Sequence, residues 1–288
     1  MNNTDKTDFL ILASDGMLGN AIFRYLQNKH FCVVGTSRKP CDSQILFDIS
    51  DEIDFASDLE DIIKKLNPKT IVNCIGYIRP QGDDLSEINR SILLNSIFPR
   101  KLFIIAKKYQ IRVIHFSTDC VFDGLNGPYS EKDIPNEKSI YGLTKFLGEG
   151  GDGYSITIRT SIIGREIGTK RNLLDWFLAE KGGQVEGFSR VFWNGISTLT
   201  AAKIVQRIFE QDLKFDSHLI QIAGETLSKY DLLCMFNKVF DKGLEIIENN
   251  KIISNKTLIP SSTQDKFFAD LIVPICDQIC ELKDFYEM

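Results

Sequence analysis

Residues Phe116–Glu149, FSTDCVFDGLNGPYSEKDIPNEKSIYGLTKFLGE, decide the reading of this chain. They start where an apolar run, Ile111–Phe116, ends; that run reads as a buried strand delivering Ser117 and Thr118 to its C-terminal end. Tyr141 lies 23 residues after Thr118, and Lys145 four residues further on. On a helix, Tyr141 and Lys145 share a face. A phenol ionises near pKa 10, and a neighbouring ammonium favours the phenolate and lowers that value. A hydroxyl from Thr118 could bind the same substrate oxygen, with Ser117 the second choice. Together these groups can protonate the oxygen formed when hydride adds to a carbonyl. In isolation, Tyr-x-x-x-Lys also fits an ordinary surface helix, so the flanking sequence has to discriminate.

Working outward, Phe9–Ala13 is a short apolar run suited to a buried parallel strand, and SDGMLGNAIFRYLQNKH follows it. Gly16 and Gly19 are expected in the turn, with Ile22, Phe23 and Leu26 at helical spacing beyond. Strand, glycine turn and helix are the setting of a dinucleotide fingerprint, in which Gly16, Met17, Leu18 and Gly19 bring backbone amides to a pyrophosphate. Phe31–Gly35 reads as the second strand, followed by Thr36-Ser37-Arg38-Lys39 with no acid among them. Ser37 and Arg38 suit a ribose 2′-phosphate, which favours NADPH over NADH. Further strands are expected at Gln44–Phe47, Pro68–Cys74, Ser155–Arg159 and His218–Ala223, and helices at 55–66, 85–109, 172–180, 198–209 and 264–282. Pro99 should bend or interrupt the second of these helices.

VIHFSTDCVFDG, PYSE and YGLTKFLGE together resemble the extended branch of the short-chain dehydrogenase/reductase superfamily, and within it the dTDP-4-dehydrorhamnose reductase family. The resemblance spans almost the whole chain and is weaker in the C-terminal third. It implies an α/β fold: a Rossmann-type doubly wound parallel sheet with a smaller, discontinuous substrate-binding lobe. The cofactor domain would run to about residue 150, and 151–288 would mix its last elements with the substrate lobe. The resemblance makes Thr118, Tyr141 and Lys145 catalytic, with Lys145 also holding the nicotinamide ribose beside Tyr141. It lays Asp48 and Ile49 over the adenine and lines the diphosphate and ribose with Cys74, Ile75 and Gly76. Asn95 supports the site, Val121 and Phe122 flank the substrate, and Arg190 and Trp193 contact its diphosphate and base. Packing or solvated roles remain open for Asp48, Asn95, Arg190 and Trp193 on their own residue context. Three departures stand out: Ala13 replaces the first glycine of the family's Gly-x-x-Gly-x-x-Gly, Ile162 replaces a tryptophan, and SSTQDKFFAD departs from an Asp-x-Ser-Leu-like motif. An ordinary backbone angle at Ala13 would accommodate the extra methyl.

The chain has 288 residues, 43% of them hydrophobic, and a formal net charge of -5, which gives no basic field for nucleic acid or anionic membrane. Seven cysteines without paired spacing and three scattered histidines suggest neither a disulfide framework nor a metal site. No apolar run reaches the ~18 residues of a membrane span, the N-terminus lacks the apolar core of a signal peptide, and a cytoplasmic setting is expected. The functional expectation is NADPH-dependent reduction of the 4-keto group of a nucleotide-linked 6-deoxysugar, the dTDP-L-rhamnose precursor at family level, for surface polysaccharide. Another nucleotide-sugar reductase or epimerase, or a non-catalytic NADP-binding regulatory subunit, is the alternative. A homodimer is the expected assembly.

Overall fold

Strands buried on both faces of a parallel sheet need near-continuous apolar sequence. Phe9–Leu12 and Thr70–Asn73 are buried at every position. The computed structural model of the chain describes residues 7–40, 43–49, 55–78, 84–166 and 172–287. In chain order, the first elements are β1 (Phe9–Leu12), α1 (Met17–Asn28), β2 (Val33–Ser37), β3 (Ile45–Leu46), α2 (Phe55–Leu66) and β4 (Thr70–Asn73). Next come α3 (Leu85–Ile92), α4 (Phe98–Lys108), β5 (Arg112–Ser117), α5 (Ile140–Gly148), β6 (Ile156–Arg159) and β7 (Ile162–Ile163). Then follow α6 (Leu173–Ala179), β8 (Gln184–Phe188), β9 (Val191–Trp193), β10 (Ile196–Ser197), α7 (Thr198–Glu210) and β11 (Leu219–Gln221). The last are β12 (Leu227–Ser228), α8 (Lys229–Val239), β13 (Glu245–Asn249), β14 (Ser254–Asn255), α9 (Ser262–Phe267) and α10 (Ile275–Tyr286). No helix among the described residues is long and apolar enough to cross a membrane.

The chain divides into two interleaved units: Met1–Ser117 with Lys138–Ile158 and Val205–Leu219, and Thr118–Glu137 with Arg159–Ile204 and Ile220–Met288. A single cut near residue 150 therefore does not separate them. The seven-stranded sheet has the order β11-β6-β5-β4-β1-β2-β3. The pairs β1–β2, β1–β4, β2–β3 and β4–β5 are parallel. The chain moves outward from β1 through β2 to β3, then crosses to β4 on the other side of β1. That reversal is the point where open α/β sheets bind ligands, beyond the strand C-termini. Beside it, Leu10, Leu12, Phe55, Phe98 and Leu102 form a core with under 3% exposure each.

The second unit holds small sheets: β7 with β10, β8 with β13, and β12-β9-β14. Its buried amides act as internal braces. Gln221 donates to the carbonyls of Tyr129 and Ile259 and accepts from Arg159. Gln278 accepts from Ser197 N–H and from the Thr200 hydroxyl, both at 2.8 Å. Ser228 and Asp231 form a capping box at the start of α8.

Several boundaries differ from expectation. The second strand starts at Val33 and runs through Ser37, because His30 turns left-handed (φ 63°) after α1 and the chain needs two more residues to enter the sheet. Ser117 likewise lies inside β5. The expected 264–282 helix is two helices, since Pro274 lacks an N–H and stands at the N-cap of α10. Between α3 and α4 the chain does not break at Pro99; it widens into a π-helical turn over Leu93–Ile97, just before the proline.

Candidate active site

In the first unit, Ser139 caps α5 by accepting a hydrogen bond from Gly142 N–H at 3.3 Å. This starts the helix one residue before Tyr141, which is half-buried, while Lys145 is only 4% exposed. Lys145 Nζ donates to the Phe116 carbonyl at 2.7 Å. Burial pulls its pKa down to about 8, against the opposing charge of Glu149. Ser117 donates its hydroxyl to Glu149 Oε1 at 2.7 Å, and both residues are buried. Glu149, one turn beyond Lys145, was missed by sequence reasoning, although its i,i+4 spacing was a usable signal.

Behind this pair, Asn73 Nδ2 meets His115 Nδ1 at 3.0 Å, and Asn73 Oδ1 accepts from Ile75 N–H. Burial and Lys145 push the His115 pKa well down, so the imidazole is neutral. Burial pushes the Cys74 thiol up, so it is not a thiolate. Asn95, in the π turn, is fully buried. It accepts from Tyr77 N–H, and its amide lies 2.9 Å from Tyr77 O and 3.1 Å from Thr144 Oγ1. Its side-chain bonds are spent inside the protein, so it braces the Cys74–Tyr77 segment and α5 rather than touching a cofactor. Gly148 lets α5 approach this turn, since a Cβ there would sit 2.0 Å from Asn95 O.

The turn after β1 departs from expectation. Ala13 has φ 57°, a left-handed angle rare for residues with a Cβ. Gly16 is the N-cap of α1, and Gly19 lies within the helix rather than in the turn. A Cβ on Gly19 would sit 2.1 Å from Ala13 O, so only glycine fits. No side chain caps α1 and no acid stands in its first turn; Gly16 N–H donates to Ala13 O at 3.1 Å, which leaves the Met17 and Leu18 amides suited to a pyrophosphate. A Cβ on Gly76 would meet nothing within 4 Å, so that strand exit is open. Ser37 is buried, Arg38 exposed, and Ser37 Oγ donates to Asp15 at 3.0 Å. Asp48 is exposed, whereas the Ile49 side chain is 2% exposed and sits in the core beside Phe47, which leaves it no face for an adenine. Residues 79–83, beyond this strand exit, lie outside the described residues.

In the second unit, Thr118 Oγ1 donates to Asp119 Oδ1 at 3.0 Å and accepts from Cys120 N–H. Val121 and Phe122 are core residues: Phe122 is 0% exposed and stacks on Tyr129 at 4.1 Å. Their side chains are therefore not substrate contacts. Trp193 is 4% exposed and gives its indole N–H to Ser161, a packing role. Arg190 is exposed in the turn between β8 and β9. Lys229 was not anticipated: its ammonium lies 5.5 Å from the Trp193 ring, and burial lowers its pKa against the charge of Asp119. Nothing in the local sequence around Lys229 signals this.

An open parallel sheet, a glycine-bearing first turn and a helix carrying Tyr141 and Lys145 define a Rossmann-type protein of the short-chain dehydrogenase/reductase class. Residues 7–177 match the RmlD substrate binding domain family, and the chain belongs to it. It is 31% identical over 147 residues to a dTDP-4-keto-6-deoxy-D-glucose reductase of Streptomyces niveus, covering 51% of this chain and 46% of that protein. It is also 31% identical over 147 residues to methionine adenosyltransferase 2 subunit beta of Bos taurus, covering 51% and 43%. The chain thus spans about half the length of these curated relatives. In fold it is similar to a dTDP-4-dehydrorhamnose reductase of Bacillus anthracis solved in complex with NADP, with TM-score 0.79, 15% identity, and 98% and 99% of the two chains covered.

Proposed function

We propose that the chain catalyses NADPH-dependent reduction of the 4-keto group of a nucleotide-linked 6-deoxysugar, in the manner of dTDP-4-dehydrorhamnose reductases. The observation that carries this is Tyr141 one helical turn from Lys145, whose buried ammonium is tethered to Phe116 O and titrates at about 8. Family membership and the reductase relative point the same way. When bound, NADPH supplies the hydride. Tyr141 gives its phenolic proton to the carbonyl oxygen as negative charge develops there. Lys145 places a desolvated positive charge beside the phenol and stabilises the phenolate left behind. The family resemblance assigns Thr118, whose hydroxyl now donates to Asp119, the role of polarising the carbonyl. Asn95 and Glu149 hold the backbone and the charges behind these groups.

The same reading makes the product a building block of surface polysaccharide, with a homodimer working in the cytoplasm. The free thiols of Cys32, Cys74 and Cys234 suit a reducing compartment, and light scattering on the purified protein tests the dimer. To test the reaction, NADPH absorbance is followed with enzymatically prepared dTDP-4-keto-6-deoxysugars, including the rhamnose-pathway epimer. Net oxidation that disappears in Tyr141→Phe supports the proposal. Dinucleotide binding with no turnover of any keto sugar overturns it. Sugar interconversion without net oxidation identifies an epimerase instead.

A further inference from the structure

The turn after β1 is pinned to the end of β2 by four hydrogen bonds. Ala13 N–H donates to Thr36 Oγ1 at 3.1 Å, and Ser14 donates from both its N–H and its Oγ to Thr36 O, at 2.9 and 3.1 Å. The fourth joins Ser37 Oγ to Asp15 Oδ2 at 3.0 Å. Ser14 Oγ lies so close to Gly35 that a Cβ there would be 2.2 Å away. The left-handed Ala13 starts this turn, so the position of Asp15 is set by backbone geometry. Asp15 itself is exposed. Ser37 is fully engaged: its one hydroxyl proton goes to Asp15, and its oxygen accepts from Lys39 N–H at 3.1 Å. It has no proton left to donate to a phosphate.

In an open α/β sheet, a dinucleotide rests its pyrophosphate on the first helix and its adenosine ribose against the end of the second strand. The strand end here lacks an acid of its own, and the preceding turn delivers one. We propose that Asp15 is a specificity-determining residue for the dinucleotide: its carboxylate accepts a hydrogen bond from a ribose 2′-hydroxyl and repels a 2′-phosphate. Arg38, exposed one residue after Ser37, attracts that phosphate. The two charges oppose each other, so Asp15 holds down an NADPH preference that Arg38 creates and keeps NADH usable. The inference rests on the dinucleotide-binding part of the proposed function and not on the identity of the sugar.

The test measures dissociation constants of NADPH and NADH by cofactor fluorescence at fixed ionic strength. The proteins are the wild type, Asp15→Asn, Asp15→Ser and Arg38→Ala. Asn keeps an oxygen to accept from Ser37 and removes only the charge, and matched melting temperatures show that the fold is intact. Both Asp15 variants are expected to raise the NADPH-to-NADH affinity ratio about tenfold, mainly by tightening NADPH, as removal of one nearby like charge predicts. Arg38→Ala is expected to lower the ratio. A ratio within twofold of wild type in both Asp15 variants, or a shift toward NADH, overturns the inference. Binding without keto-sugar turnover sinks the proposed reaction but leaves this ratio decisive. Absence of binding to either dinucleotide overturns both.

Discussion

Two regions of the first unit reach the C-terminal end of the same sheet by different means. The turn at residues 13–19 works through backbone: a left-handed Ala13, a glycine that tolerates no Cβ, and an α1 terminus with no side-chain cap. The packing of β5 against α5 works through buried side chains: Lys145 on a carbonyl, Ser117 on Glu149, and a neutral His115 behind them. The first region stores its specificity in sterics and the second in electrostatics. Changes in the turn should therefore appear as lost stability and binding, and changes around α5 as altered rate and pH dependence.

The largest expected effect falls on the α5 side. Tyr141→Phe removes the proposed proton donor and should lower kcat about 10³-fold. Dinucleotide affinity, measured by fluorescence titration, should change little. A comparable loss of affinity would erase the contrast between the two regions.

Gly19→Ala should produce the reverse pattern. Its new Cβ would meet backbone 2.1 Å away, which cannot move as a side-chain tip can. We expect about 3 kcal/mol of destabilisation in urea unfolding, together with weakened dinucleotide binding. An unchanged unfolding midpoint would show that the turn relaxes freely.

The pH behaviour of Lys145 sharpens the comparison further. Its native pKa is depressed from 10.5 to about 8. Between those values the unfolded chain binds the extra proton, so this group makes stability rise with pH across that window. The proposed reaction uses the ammonium, so kcat/KM should fall as pH rises through about 8. Stability and activity then move in opposite directions, and Lys145→Met should remove the stability slope. Glu149 raises the Lys145 pKa, so Glu149→Gln should move the activity loss to lower pH, by about half to one unit. A pH–rate profile that does not move would remove Glu149 from the network.

The smallest effect belongs to Ala13. A left-handed alanine costs about 1 kcal/mol, partly offset by the greater unfolded-state freedom of glycine. Ala13→Gly should therefore stabilise the protein by about 0.5 kcal/mol, read as a small rise in Tm. A fall in Tm would show that the methyl contributes packing that outweighs its strain.

Much of the fold was legible because buried parallel strands and amphipathic helices write their periods into the chain. Phe55–Leu66 was read to the residue and β1 to within one residue, while α1 begins two residues before the Gly19 that was expected in the turn. The errors came where one residue controls a boundary: His30 delayed β2, and Pro274 divided the last helical stretch. The π turn at Leu93–Ile97 was invisible because its residues have ordinary helical propensity. Of the candidate site residues, Tyr141, Lys145 and the glycine turn were pointed to by their spacing together with the sequence that flanks them. It could not separate a side chain facing a ligand from one facing the core. Phe122, Ile49 and Trp193 share composition with binding residues, yet they fill cores.

Local chemistry, then, was determined by sequence alone: which helix carries the Tyr–Lys pair, which turn must be glycine-bearing, and which runs are buried. Tertiary structure alone decided what each polar group is bonded to. Glu149 received its Ser117 partner and Asn95 its Tyr77 partner only once elements 18 to 32 residues apart were packed together. Asp15 met Ser37 across 22 residues in the same way. Hydrogen-bond pairing and desolvation depend on distances that local spacing does not encode, and those two quantities set the charges of this site.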